Sequence, residues 1–547
     1  MVGQNKASAR LNPQIQFSPT LLYIIALIII CLAIIARTVP GPRTIDDAYI
    51  TYRYARNILG GNGFVYNPGE QVLGTTTPLY TFLLVMIGKI TGGPQAPFSE
   101  IALFINAIAD GLTCLLLLDL GRRLGSTLGG IGAALVWAIA PFSVTFAIGG
   151  LETSVYVLLL AATMYAYIQR RFYLTALLGA FSLITRPDAV LLLGPIVFDR
   201  FLLILKSRKE STAHFDEIKW RNIIFEILIF LVPILLWISV SIYLFGNPIP
   251  NSIAAKSLAY RFPSSAALIR LLQHYATPFL AHQTFGNLWI GIGIILYPFL
   301  FIIGAKRSIL KNKHIWPYVL YPWLYFIVFS IANPLIFRWY LTPPLSAYIL
   351  FILIGIHQIT VTIGAWLSKR LNQFPQHLTS LTWIYRSATI FFVVLLPLGF
   401  SLRNWKLTPD HGLDRPAPEM AWYKLELLYQ QAALSLAPQI DHQTIVAAGD
   451  VGVLGFLTNA RILDTVGLNS IESIEYYPLD SSSYVTNYAI PTDLILDKRP
   501  DYIVFLEVYG RKTLLSNLQF QNTYRLIDKL PTDIYGSDGM LIFTRKN

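Results

Sequence analysis

IDDAYITYRYARNILGGNGFVYNPGE, residues 45–70, opens on two adjacent carboxylates, Asp46 and Asp47, just past an apolar run of spanning length at 19–37. Acids so near a hydrocarbon boundary are costly, so by default they are read as functional. What the pair faces, and on which side of a membrane, governs most of what the chain can do.

Outside this stretch the composition is that of a membrane protein. Of 547 residues, 54% are hydrophobic and 13% charged, with a mean hydropathy of +0.54. That excludes a soluble globular protein and indicates a polytopic one. Cys31 and Cys114 lie inside apolar runs, so neither a disulfide framework nor a cysteine metal site is expected. The net charge of +12 comes from basic residues clustered between apolar runs, where they set orientation; no nucleic-acid partner is expected. The basic N-terminus, with Lys6 and Arg10, runs into 19–37 without a small-residue cleavage site, which reads as an uncleaved first span.

Apolar runs of spanning length occur at 19–37, 99–121, 126–147, 150–168, 172–186, 189–205, 222–245, 286–305, 316–332, 340–362 and 383–402. About 20 residues are needed to cross about 30 Å of hydrocarbon. PLYTFLLVMIGKI, 78–90, is too short to cross comfortably and fits either a crossing or a helix lying on the surface. Loop charge separates the two. Basic clusters fall at Arg122/Arg123, Arg170/Arg171, Lys206/Arg208/Lys209, Lys306/Arg307/Lys311/Lys313 and Lys369/Arg370. If 78–90 does not cross, all of them share a side with Lys6 and Arg10, and the positive-inside rule makes that side cytoplasmic. The expectation is eleven crossings of the plasma membrane, a juxtamembrane first loop and an extracytoplasmic C-terminus.

The remaining polar motifs then fall together on the outer side. They are Asp46/Asp47, GGLETS with Glu152, TRPD with Arg186 and Asp188, FGNPIPNSIAAKS with Asn251 and Lys256, and NPLIFRWY with Arg338. External cations run against the orientation signal, and an anionic ligand such as a lipid phosphate is the simple reason for them.

From about 403 the composition turns soluble, which divides the chain into a transmembrane part, 1–402, and an outer α/β domain, 403–547. A polar linker with His411 leads to an amphipathic helix expected at 418–436. Strands are expected in TIVAAGD (444–450), DYIVFLEV (501–508) and a terminal pair around 522–545. The glycines of GDVGVLGF do not form the GxGxxG fingerprint, so nucleotide binding is not expected there.

These motifs resemble the GT-C superfamily of membrane glycosyltransferases, in the branch of mycobacterial-type arabinofuranosyltransferases and related mannosyltransferase-like proteins. The specific match is IDDAYITYRYARN…GFVYNPGE…GTTTPLY, residues 45–80, similar to that branch's first-loop signature. GLETS, TRPD, PNSIAAK and RWYLTPP follow in the family's order, and GDVGVLGF with ILDTVGLN is similar to its outer-domain signature. Ala189 after TRPD, where relatives commonly carry glycine, and the missing aromatic residue in PNSIAAK are departures that bear on the acceptor groove. The resemblance implies a many-helix fold with its active site at the outer surface. It also implies a polyprenyl-phosphate sugar donor and a catalytic aspartate in the first loop.

Such a transfer needs a base for the acceptor hydroxyl proton and cations for the departing phosphate. Helix neighbours lie about 100° apart, so one of the pair faces the cavity. Asp46 is favoured as base, with Asp47 positioning it or binding a cation; the alternative is that both simply cap the 45–59 helix. Arg53 and Arg56, on the same helix, either bind donor phosphate or pair with the acids. Arg186, Lys256 and Arg338 are candidates for the donor phosphate, each equally readable as snorkelling to the interface. Glu152, Asp188, Asn251, Trp339 and Tyr340 are the candidates for sugar and acceptor, Glu152 being as well suited to a helix cap and the aromatics to interface anchoring. Asn106 and Asp110, mid-span at i,i+4, read as interhelical hydrogen bonding, and neither Asp450 nor Asp464 is expected to be essential. No zinc spacing occurs; a magnesium or manganese ion on the acidic pair is compatible with carboxylate and phosphate oxygens.

The chain therefore reads as an inverting glycosyltransferase. It would move a pentose such as arabinofuranose, or a hexose such as mannose, onto a glycan, lipid or protein acceptor. The rival, a transporter or flippase for lipid-linked sugars, would place charged sites near the midplane of repeated halves, and no internal repeat is seen.

Overall fold

A computed structural model describes residues 17–209, 220–279, 286–371, 378–406, 415–420 and 423–546. Lys6, Arg10, His411 and part of the 418–436 helix lie outside the described residues, as do the side chains of Arg208, Lys209 and Lys369.

Every apolar run is helical. The helices are α1 (Pro19–Thr38), α2 (Asp46–Leu59), α3 (Pro78–Thr91), α4 (Phe98–Arg123), α5 (Thr127–Ile139), α6 (Pro141–Ile148), α7 (Thr153–Ile168), α8 (Phe172–Thr185) and α9 (Val190–Lys209). They continue with α10 (Trp220–Phe245), α11 (Asn251–Ala259), α12 (Ala266–Ala276), α13 (Gly286–Lys311), α14 (Trp316–Ala332), α15 (Leu345–Leu371), α16 (Leu378–Ile390) and α17 (Leu396–Leu402). Seven helical segments among the described residues are long and apolar enough to cross a membrane, or eight if the α5–α6 pair, bent by 43°, is one span. Pro141 causes that bend, since its ring cannot continue α5. The count of eleven needs α7, α8 and α9 as well. The first two have 16 and 14 residues, and α9 carries Asp199 and Arg200 near its middle.

Small residues set how closely the helices approach. A Cβ at Gly304 of α13 or Gly355 of α15 would overlap a carbonyl oxygen of the other helix, so the two backbones touch. The mid-span acid is satisfied as expected: Asp110 accepts from Arg37 Nε (2.8 Å), Trp137 Nε1 (2.9 Å) and Ser154 Oγ (2.7 Å). Asn106 donates to the carbonyls of Ala147 and Leu151.

Asp46 and Asp47 occupy the first turn of α2, where the helix dipole favours negative charge. The helix is enclosed on most sides and ends at a glycine turn in which Gly61 and Gly63 hold φ of +80° and +85°. Then comes α3, at 14 residues about 21 Å long, short of the hydrocarbon thickness.

The C-terminal domain starts from a small ladder of β1 (Trp405–Lys406) and β2 (Ala417–Pro418). Helix α18 (Lys424–Leu436) leads to β3 (Ile445–Ala448), α19 (Gly452–Thr458), β4 (Arg461–Asp464), α20 (Thr492–Lys498), β5 (Tyr502–Leu506), β6 (Tyr524–Leu530) and β7 (Met540–Arg545). The sheet order is β4-β3-β5-β7-β6, with β3 parallel to β4 and β5, and β7 antiparallel to β5 and β6. Its apolar strands Val446–Ala448 and Ile503–Leu506 are fully buried, which explains their unalternating pattern.

Candidate active site

Several chain segments far apart in sequence meet at one end of the helical body around a cavity of about 220 Å³. Asp47 and Thr51 come from α2, Thr75, Thr76 and Thr77 from the turn before α3, and Glu152 from the turn before α7. Arg186 and Asp188 come from the α8–α9 connection, Ser252 and Lys256 from α11, and Trp339 and Tyr340 from the segment before α15. Leu468 of the C-terminal domain completes the lining.

Two charged groupings stand in this cavity. Arg186 is gripped by Asp188 through Nε–Oδ1 (2.9 Å) and Nη2–Oδ2 (3.2 Å), with Glu152 Oε1 3.5 Å from Nη1. Its guanidinium lies 4.7 Å from the Tyr340 ring centroid and 5.0 Å from that of Tyr156. This cation is already neutralised and fixed in orientation. The second grouping is more open: Lys256 Nζ lies 3.7 Å from Asp47 Oδ2 and 4.5 Å from the Phe337 ring centroid. Burial alone would depress the lysine pKa, but the Asp47 charge and Tyr340 outweigh it and raise the value, so the ammonium stays charged.

Around the charges are an aromatic wall and a row of hydroxyls. Trp339 stacks on Phe337 with centroids 4.6 Å apart, and Tyr340 stands beside them. Thr75 and Thr77 hydroxyls lie 3.3 Å apart, and the buried Ser252 hydroxyl has no hydrogen-bond partner among the described residues. The hydroxyls were missed in reading the sequence. GTTTPLY was noticed there as a motif, but threonines in a loop carry no charge or period that marks them.

The structure separates the acidic pair. Asp47 lines the cavity, whereas Asp46 does not: its oxygens accept Gly452 N–H (2.9 Å) and Val453 N–H (2.8 Å). Burial pushes the Asp46 pKa well up, the charge of Asp450 adding to it against the pull of these two amides. The geometry therefore reverses the order favoured from sequence and makes Asp47 the candidate base. Among the described residues no group of three or more His, Cys, Asp or Glu side chains is arranged to hold a metal.

Four further expected site residues lie elsewhere. Arg53 donates to the carbonyls of Tyr66 and Ala460, and Arg56 to that of Phe456; neither bonds the aspartates or lines the cavity. Arg338 is also absent from the lining, and burial lowers its pKa against the opposing effect of Tyr535. Asn251 Nδ2 donates to the Gly467 carbonyl (2.5 Å), tying α11 to the C-terminal domain. In that domain, burial pushes Asp450 up to about 6, with the charges of Asp47 and Asp464 adding to it. Asp464 is likewise pushed up to about 6 by burial, while the amides of Asn469, Gly467 and Val466 oppose the shift.

Known proteins resemble parts or all of this arrangement. Residues 420–543 match a family described as a domain of unknown function, DUF8728. A terminal β-(1→2)-arabinofuranosyltransferase of Mycobacterium tuberculosis is 33% identical over 159 residues, 28% of this chain, and the match spans 24% of that relative's length. ArnT from Cupriavidus metallidurans, solved bound to undecaprenyl phosphate, superposes with a TM-score of 0.52 at 12% identity, over 96% of this chain and 98% of that one. The archaeal oligosaccharyltransferase AglB from Archaeoglobus fulgidus, solved with an inhibitory peptide and a dolichol-phosphate, gives 0.51 at 10% identity, over 96% of this chain and 74% of that one. With its apolar helices, its cavity at one end and its C-terminal sheet domain, this multi-pass membrane protein has the fold of the GT-C glycosyltransferases.

Proposed function

We propose that this protein transfers a sugar from a polyprenyl-phosphate donor to a hydroxyl acceptor at the extracytoplasmic face of the plasma membrane. The observation that carries the reading is a carboxylate and a cation, Asp47 and Lys256, 3.7 Å apart and facing one cavity. In the reaction Asp47 takes the acceptor hydroxyl proton as that oxygen attacks the anomeric carbon. The bond from the anomeric carbon to the phosphate oxygen breaks, and Lys256 meets the charge that develops on the leaving polyprenyl phosphate. A single displacement of this kind inverts the anomeric centre.

The remaining lining has fitting chemistry. Trp339 and Tyr340 offer faces for a sugar ring, and Thr75, Thr77 and Ser252 offer hydroxyls for its polar rim. Arg186, held by Asp188 and Glu152, orients this wall more than it binds phosphate. The partial match to an arabinofuranosyltransferase favours a pentose such as arabinofuranose over a hexose such as mannose. The polyprenyl phosphates bound to proteins of the same fold favour a lipid-linked donor.

The test uses membranes containing the full chain, supplied with labelled polyprenyl-phosphate pentose or hexose. Transfer is expected with the unaltered protein and a fall of about 10³-fold with Asp47→Asn, the range for loss of a general base. Undiminished transfer by Asp47→Asn would remove Asp47 as the base.

A further inference from the structure

The segment matching a domain of unknown function has a place in the site. We infer that the C-terminal domain is a working wall of the active site, and that Asp46 is the positioning residue through which the domain holds Asp47. This rests on Asp47 being the base.

The Asp46 carboxylate meets the backbone of α19 directly. Asp46 takes the amides of Gly452 and Val453 at the start of α19, and a Cβ on Gly452 would overlap the Asp46 carbonyl oxygen. Only glycine permits that approach. One turn on, a Cβ on Gly455 would overlap the Tyr66 hydroxyl and the Arg53 guanidinium. The glycines of GDVGVLGF therefore let α19 lie directly on the first loop, which gives a physical account of a motif that has no nucleotide fingerprint.

Side chains extend the grip along α2 and the loop after it. Tyr66 Oη donates to the Val451 carbonyl (2.8 Å). Arg56 Nη1 reaches the Phe456 carbonyl (2.8 Å), and Arg53 Nη2 that of Ala460 (2.7 Å). Asn67 accepts from Ile462 N–H (3.1 Å) and donates to the Ile462 carbonyl (2.9 Å), as a paired strand would. With an acid on the amide end of α19 and arginines on carbonyls beyond it, the helix docks in one polarity only.

A second arm of the domain reaches the cavity itself. Asp464 accepts the amides of Val466, Gly467 and Asn469, shaping a loop whose Leu468 lines the cavity. That loop holds α11 through Asn251. Asn469 Oδ1 lies 3.4 Å from the Tyr54 hydroxyl of α2, and a Cβ on Gly74 would overlap the Asn469 side chain. The domain thus touches the three segments that supply Asp47, the threonine row and Lys256. Rotation of α2 by even part of the ~100° between neighbouring residues would swing Asp47 off the cavity, and a misplacement of about 1 Å can cost about 10²-fold in rate.

The test compares Asp46→Asn, Gly452→Ala and the double variant in the full chain, reading both transfer kinetics and amide exchange across residues 46–59. Each single variant is expected to lower kcat by about 10–100-fold with KM for the polyprenyl-phosphate donor held within about threefold. The double variant should be no worse than the poorer single, as expected of two sides of one contact. The acidic limb of the pH–rate profile should survive in both singles, because the base is still present. Amide exchange in α2 should accelerate in each. If Asp46→Asn alone abolishes transfer and the acidic limb while Gly452→Ala matches the unaltered chain, Asp46 is the base and the inference fails. Unchanged exchange in α2 in both variants also overturns it. Should Gly452→Ala not accumulate, Tyr66→Phe removes one bond of the same contact without adding an atom. It should raise α2 exchange, and no change there would likewise overturn the inference. Exchange is read without substrate, so a failed transferase assay of the unaltered chain would count against the proposed function and leave the exchange result standing.

Discussion

Two charge clusters in this molecule use similar residues to opposite ends. In the interior, Arg37 and Asp110 are fully enclosed and completely partnered. Arg37 also donates to the carbonyls of Ala33 (2.9 Å) and Ala138 (2.6 Å) and to Ser143 Oγ (3.2 Å), while Trp137 and Ser154 complete Asp110. At the cavity, Asp47 and Lys256 sit 3.7 Å apart with side chains 32% and 20% exposed, in a lining that includes the Ser252 hydroxyl, which has no partner among the described residues. A buried ion pair with every lone pair and proton satisfied holds helices in register. A looser pair facing open volume, with polar capacity to spare, fits the ligand site proposed above.

The contrast breaks most visibly at Arg37. Arg37→Met would leave Asp110 buried without its counter-ion, at a cost of about 3–5 kcal/mol. The expected result is a large fall in thermal midpoint or in accumulation, with transfer per folded molecule little changed. An unaltered midpoint would show that the interior pair is not structural. Lys256→Met should behave in the opposite way, with kcat down about 10²-fold and the thermal midpoint near that of the unaltered chain. A stability loss with normal kcat would move Lys256 into the structural class.

A smaller effect sharpens the boundary between the two. Asp450, whose pKa rises from an ordinary 3.8 to about 6, favours its protonated form in the folded chain. The stability it contributes is present at low pH and lost as pH rises from about 4 through 6. Asp450→Asn should therefore raise the thermal midpoint by about 2–4 °C at pH 7.5, and the gain should shrink toward pH 4. A pH-independent effect, followed by scanning fluorimetry, would show that Asp450 does not titrate in that window.

Much of the site could be read from the chain because the signals that carry it are one-dimensional. Loop charge placed the motifs around Asp47, Glu152, Arg186, Lys256 and Trp339 on one side of the membrane, and those residues line one cavity. Where the reading went astray it needed a rotation or a partner surface. Arg53 and Arg56 lie on the same helix as the acids, yet their bonds go to carbonyls of Tyr66, Ala460 and Phe456. The Ser252 hydroxyl carries no charge, and only its burial without a partner among the described residues marks it.

From residue order alone came the membrane class, the helical runs, the grouping of the polar motifs and the C-terminal sheet. Hydropathy, charge asymmetry and strand composition are properties of the chain before it folds. Tertiary structure alone decided which of two adjacent aspartates meets the cavity, and why a glycine-rich turn lies against the first loop. Both depend on the angle of α2 about its own axis, and that angle is set by packing against a domain about 400 residues away in the chain.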